Sequence, residues 1–170
     1  MPLSAVLLPE FDSETAALRR VLERLPDAKL GWRPHAKSMT LGALGTHLAN
    51  TLTWSERLIT TREFDVMPPG APAPKMDELR STAAILAAFD ANVVPARRAL
   101  AGASDETLAV PWTLLAGGKP FFTLPRSVCL RSFVFNHMIH HRGQMTVYLR
   151  LLDVPVPAIY GPSADEGLPG

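Results

Sequence analysis

A chain of 170 residues, 47% of them hydrophobic, is long enough to form one domain, residues 1–170, around a single core, burying roughly 70% of its unfolded surface without staples. Seventeen Lys and Arg against sixteen Asp and Glu leave a net charge of +1 and no basic cluster, so charge offers no nucleic-acid or anionic-membrane surface. The single cysteine, Cys129, cannot form an internal disulfide, no apolar run approaches the ~20 residues of a membrane span, and MPLSAVLLPEFDSE has no cationic start, so a cytoplasmic protein is expected.

Sixteen prolines punctuate the chain. The first proline-poor window predicts a helix from about Asp12 to Leu25, capped by Asp12 or Ser13 and closed by Pro26, with Leu18, Val21, Leu22 and Leu25 as its apolar stripe. A second helix is expected from about Thr40, a good N-cap, to Arg62; Leu44, His47, Leu48, Thr51, Trp54 and Leu58 recur at three- and four-residue steps. Gly42 and Gly45 either weaken its start or admit a close neighbour. VMPPGAPAPK must be loop. A third helix is expected from about Met76 to Ala101, kinked or broken at Pro95.

Residues 107–123, TLAVPWTLLAGGKPFFT, read as a short hairpin around Ala-Gly-Gly-Lys. The last helix is expected from about Pro125 to Asp153, and the first part of the Pro- and Gly-rich tail, through Val156, Ile159 and Tyr160, is expected to pack back on the bundle. The fold class read from this is all-α, a four-helix bundle with a hairpin-like excursion before the last helix, its helix order left open by the long second connection. Cys129 is expected to be a buried structural thiol.

Three of the five histidines fall within NHMIHHRGQ, residues 136–144. On a helical wheel His137 and His141 straddle the centre of an apolar arc with Leu130, Val134, Met145, Tyr148 and Leu152, while Arg131, Ser132, Asn136, Arg142, Gly143, Thr146 and Arg150 gather opposite. Two imidazoles at i and i+4 are spaced to share one metal ion, and His47, on the stripe of another helix, is the natural third ligand. Three neutral imidazoles suit Zn²⁺, Ni²⁺, Cu²⁺ or Fe²⁺ and leave a coordination position open. The alternative is a set of structural histidines hydrogen-bonded in the core. His140, at the flank, is a candidate substrate-facing group or proton shuttle. His35 reads as surface. Glu10, Asp12, Asp65, Asp77 and Asp90 supply no general base aimed at the histidines by spacing, and Trp32, Trp54 and Trp112 read as core packing before pocket walls.

HMIHHRGQMTVYLRLLDVPVPAIYGPSADE resembles the closing segment of the DinB-like family, and WRPHAKSMTLGALGTHLANTLTW resembles that family's approach to its first histidine. The resemblance covers the second and fourth helices with their flanking segments; the first and third match in length and character alone. It implies a DinB-like four-helix bundle, often a homodimer, holding a divalent metal on His47, His137 and His141. Zinc or nickel leads, with iron or manganese next. Arg142, Gly143 and Gln144 complete the family string, with roles in packing and hydrogen bonding; Gly143 would give a close-approach point and Arg142 would pair with an acid of another helix or subunit. The relatives that the resemblance brings in include transferases of low-molecular-weight thiols such as bacillithiol or mycothiol, and members described as hydrolases.

Two functions follow. One is an enzyme, a hydrolase or thiol S-transferase in which the metal activates a water or thiol against a small electrophile, with His140 as the catalytic candidate beside the ligands. The other is a non-catalytic metal-binding stress-response protein. Val128, Phe135 and Ile139 on the back of the last helix predict a homodimer packed partly through it, or burial under the tail.

Overall fold

The structure is a computed structural model that describes residues 1–72 and 77–167. Its first helix, α1, spans Leu3–Leu22, beginning nine residues before the expected start at Asp12 and carrying Pro9 inside it. Proline there removes one main-chain donor, but Leu7 and Phe11 on either side are buried in the core, and that burial holds the extra turns.

The long second helix divides into α2, Leu41–Thr51, and α3, Thr53–Thr60, jointed at Leu52. Thr40 caps α2 as expected, its hydroxyl accepting from Ala43 N at 3.0 Å. At the joint Thr51 Oγ1 donates to the carbonyl of His47 at 2.8 Å and Thr53 Oγ1 to that of Asn50 at 2.7 Å. Side-chain hydroxyls that take main-chain acceptors in this way bend helices. Gly42 and Gly45 serve close approach. A methyl on Gly42 would stand 2.5 Å from Glu78 Oε1, and one on Gly45 would stand 3.0 Å from Leu25 Cδ1 and 3.1 Å from Ile85 Cδ1.

Then comes β1, Glu63–Asp65, and after the loop α4, Thr82–Ala101. Met76, the expected start of this helix, lies outside the described residues. Residues 77–80 are irregular, and Ser81 caps the helix by accepting from Ala84 N at 3.1 Å. Helix α4 runs through Pro95 unbroken, with Phe89, Ala96 and Leu100 buried around it. A short helix α5, Asp105–Ala109, leads into the hairpin β2, Pro111–Ala116, and β3, Lys119–Pro125. Gly117 and Gly118, at φ 65° and 75°, form its two-residue turn, the left-handed pair that such hairpins require. The last helical stretch is three pieces: α6, Arg126–Leu130; a π-helical turn, Arg131–Asn136; and α7, His137–Leu151.

The all-α class is corrected here. Strands β1, β2 and β3 form a three-stranded mixed sheet, with β1 parallel to β2 and β2 antiparallel to β3. The hairpin was legible; its partner was not, because three residues are too few to show alternation. What recruits β1 is tertiary. Asp65 accepts from the Gly117 and Gly118 amides at 3.2 and 2.6 Å, so one carboxylate ties the strand end to the hairpin turn.

Helices α1 and α2 each pack against both α4 and α7. The bundle therefore runs α1–α4–α2–α7 around its axis rather than in chain order. This is the feature that sets α2 beside α7. The core between them holds Leu18, Leu22, Leu44, Leu48, Ile85, Phe89, Met138, Met145 and Leu149. Cys129 is buried as expected, and burial pushes its thiol pKa up. Trp112 is fully buried and its Nε1 donates to Thr61 Oγ1 at 3.1 Å. Among the described residues no helix is long and apolar enough to cross a membrane.

Candidate metal centre

Two helical addresses, one on α2 and one on α7, converge. His47 Nε2 lies 3.0 Å from His137 Nε2. The ring of His141 stands 4.6 Å, centroid to centroid, from those of both His47 and His137. One ligand nitrogen from each of the three lies within 4.8 Å of the others, and all three side chains are half-buried. Sequence placed His137 and His141 on one stripe; the bundle order places His47 against them.

The rings suit a cation. Nitrogens bound to a common ion at about 2.0–2.1 Å stand about 3–3.4 Å from each other, the separation of the His47 and His137 nitrogens. Burial, with the positive charge of the His141 and His137 rings, pushes the His47 imidazole down to about 4. Burial likewise lowers His137 and His141, in the first case with the charge of His141 and in the second with that of His140 adding to it. All three are therefore neutral at pH 7, which is the form that ligates. The outer nitrogen of His141 has a partner, its Nδ1 meeting Gln144 Oε1 at 2.7 Å. Such partners fix tautomer and orientation in metal-binding histidines. A three-histidine cluster of this kind can hold a divalent metal and leave open positions on it.

His140 lies outside the cluster. It is exposed, with its ring 4.9 Å from that of His141. His35 is on the surface, its Nδ1 accepting from Lys37 N at 3.1 Å. Glu10, Asp12 and Asp90 are occupied by Arg131, Arg97 and Arg19, and Asp65 by the hairpin turn. Trp54 meets Phe64 and Trp112 edge-on, and Trp32 meets Tyr148 in the same way, so the indoles pack against other aromatic rings.

Two residues of the family string depart from their expected places. Gly143 is exposed, and a methyl there would meet nothing within 4 Å, so it is no close-approach point. Arg142, on the polar arc of the wheel, is 2% exposed. It pairs with Glu14 of α1 at 2.6 Å, and Tyr160 of the tail accepts from it at 2.6 Å while donating to Glu14 at 2.8 Å. An acid of another helix was expected for Arg142; Tyr160 was not. The cue available in the sequence was an arginine directly beside a histidine of the cluster, with a tail rich enough in apolar residues to fold back. The wheel also mislaid Phe135, which is fully buried and meets Phe11 at 6.2 Å. It is core, not a face offered to a second copy. The π-turn explains Phe135, because an extra residue in the turn before His137 shifts the phase of everything preceding it; Arg142, beyond the turn, is held inward by Glu14 and Tyr160.

Comparison with known proteins agrees with this architecture. A model of the DinB family matches residues 1–167. The structure resembles a DinB-like protein from Bacillus cereus ATCC 10987, with a TM-score of 0.69 and 22% identity over 94% of this chain and 98% of that one. It also resembles the DinB-like protein YjoA of Bacillus subtilis, with a TM-score of 0.67 and 16% identity over 88% and 94% of the two chains. Identities this low speak for the fold alone. A local match to the uncharacterized protein YrdA of Bacillus subtilis strain 168 is 51% identical over 37 residues, spanning 22% of the length of either chain. With the family matched from the first residue almost to the last, around a bundle that gathers three histidines, the chain belongs to the DinB family.

Proposed function

We propose that this protein is a divalent-metal enzyme in which His47, His137 and His141 hold zinc or nickel and the metal activates a water or a low-molecular-weight thiol for attack on a small electrophile. The observation that carries the reading is the convergence of three neutral imidazoles from two helices, with the outer nitrogen of His141 already bonded. When bound, the ion would lower the pKa of the water or thiol it holds. The histidines themselves bring no charge, so the ion keeps its full positive charge toward an anionic nucleophile. In this reading His140, exposed with its ring 4.9 Å from that of His141, would carry a proton between the site and solvent. The single thiol, buried and with its pKa raised, accords with a cytoplasmic setting.

Elemental analysis of protein purified from unsupplemented medium tests the site. About one equivalent of metal is expected in the wild type and a loss to background in His47→Ala and His141→Ala. A wild type that carries none and takes up none on addition removes the reading. Turnover of model electrophiles with a panel of thiols, and with water alone, then separates S-transfer from hydrolysis. Metal at full occupancy with no turnover under any of them favours the alternative, a non-catalytic metal-binding protein.

Homodimer formation is a separate part of the proposal. Val128 is exposed and borders, with Leu3 and Leu7, a shallow groove of about 290 Å³ between the start of α1 and the last helical stretch. Light scattering that finds a monomer at all concentrations removes it.

A further inference from the structure

We propose that Gln144 is a positioning residue: its side-chain amide oxygen holds the proton of His141 on Nδ1 and so keeps Nε2 bare and turned to the cluster. This rests on the metal reading above and adds a role to a residue outside the ligand set. A neutral imidazole carries one proton, and the partner of one nitrogen decides which nitrogen keeps it. Gln144 follows His141 by three residues, so the two side chains are neighbours on the face of α7. The 2.7 Å contact joins Gln144 Oε1 to the nitrogen nearer the main chain. The farther nitrogen is the one that can reach across toward α2.

His137 turns its Nε2 to the same cluster, 3.0 Å from His47 Nε2. Gln144 holds the neighbouring His141 in the tautomer that does likewise. An amide does this without adding charge, whereas a carboxylate in its place would make the imidazole more basic and reduce the net charge of the loaded site. Gln144 is itself exposed, so no core packing explains it.

The test uses Gln144→Leu, which removes the acceptor, and Gln144→Glu, which keeps one. In metal-free protein at pH 7.5, long-range ¹H–¹⁵N spectra are expected to show His141 protonated on Nδ1 in the wild type and in Gln144→Glu, and predominantly on Nε2 in Gln144→Leu. Zn²⁺ affinity, measured by chelator competition, is expected to fall about 10- to 100-fold in Gln144→Leu and to stay within a few-fold of wild type, or tighten, in Gln144→Glu. Thermal melts of the metal-free variants should match the wild type, because the residue is exposed. A wild-type His141 protonated on Nε2, a Gln144→Leu affinity within twofold of wild type, or a Gln144→Glu as weak as Gln144→Leu overturns the proposal. A wild type that binds no Zn²⁺ overturns the metal reading instead, and the tautomer spectra still decide whether Gln144 sets the ring.

Discussion

At the scale of single residues, the cluster should give the protein an acid-sensitive site well above the carboxylate range. His47, at about 4, and the lowered His137 and His141 stay neutral in the fold while the same residues in the unfolded chain titrate near 6.5. Above that pH both states are neutral and the groups contribute nothing. As pH falls from about 6.5 toward 4 the unfolded chain takes up protons that the fold refuses, and stability declines. Metal-free protein should therefore melt at a lower temperature at pH 5 than at pH 7.5, and metal-loaded protein should show the steeper decline, since a protonated imidazole cannot ligate. Carboxylates lowered by partners, such as Asp165 beside Arg150, lose their contribution only below the ordinary carboxylate range, outside this window. Equal melting temperatures at the two pH values would count against the burial described for the cluster.

Arg142 carries the other residue-scale prediction. A buried guanidinium pairs with buried Glu14 and with the hydroxyl of Tyr160. Arg142→Met should cost about 3–5 kcal/mol by urea denaturation of metal-free protein, because it strands a carboxylate out of water. Arg142→Met with Glu14→Leu should cost less than Arg142→Met alone. A purely additive pair would show that the two do not interact as described.

At the scale of elements, the departures from simple helices coincide with the site. The joint between α2 and α3 falls five residues after His47, and the π-turn ends where His137 begins. Helical periodicity reads through both, because each is decided by contacts distant in sequence or by main-chain hydrogen bonds that a wheel does not contain. The hairpin is the opposite case. Gly-Gly between apolar runs specifies it locally, since both turn residues need positive φ. Gly118→Val should destabilise the protein by about 1–2 kcal/mol in urea denaturation, from the left-handed backbone it imposes on a β-branched residue. It would also set a methyl 3.4 Å from Pro69 Cγ. A variant as stable as the wild type would mean the turn relaxes without penalty.

At the scale of the whole molecule, the α1–α4–α2–α7 arrangement does two things at once. It faces α2 to α7 across the histidine cluster, and it buries the back of the last helical stretch against α1 through Phe135 and Phe11. Phe135→Ala should lose about 3–5 kcal/mol of folding stability while leaving the oligomeric state seen by light scattering unchanged. A change in association without loss of stability would place Phe135 on a surface after all. The tail completes the closure, with Arg150 on Asp165 and Tyr160 on the Arg142–Glu14 pair.

The sequence by itself determined what repeats locally. Apolar spacing marked the four principal helices, Gly-Gly marked the hairpin, and the i, i+4 spacing put His137 and His141 on one stripe, because side-chain direction on a regular helix follows from position alone. Only the tertiary structure decided which helix lies beside which, that a three-residue strand joins the hairpin, and that Arg142 and Phe135 turn inward. Those outcomes depend on packing between segments far apart in the chain and on one π-turn that resets the phase of a helix. The third histidine belongs to both lists: its stripe was legible on α2, and its distance from the other two was fixed by the bundle.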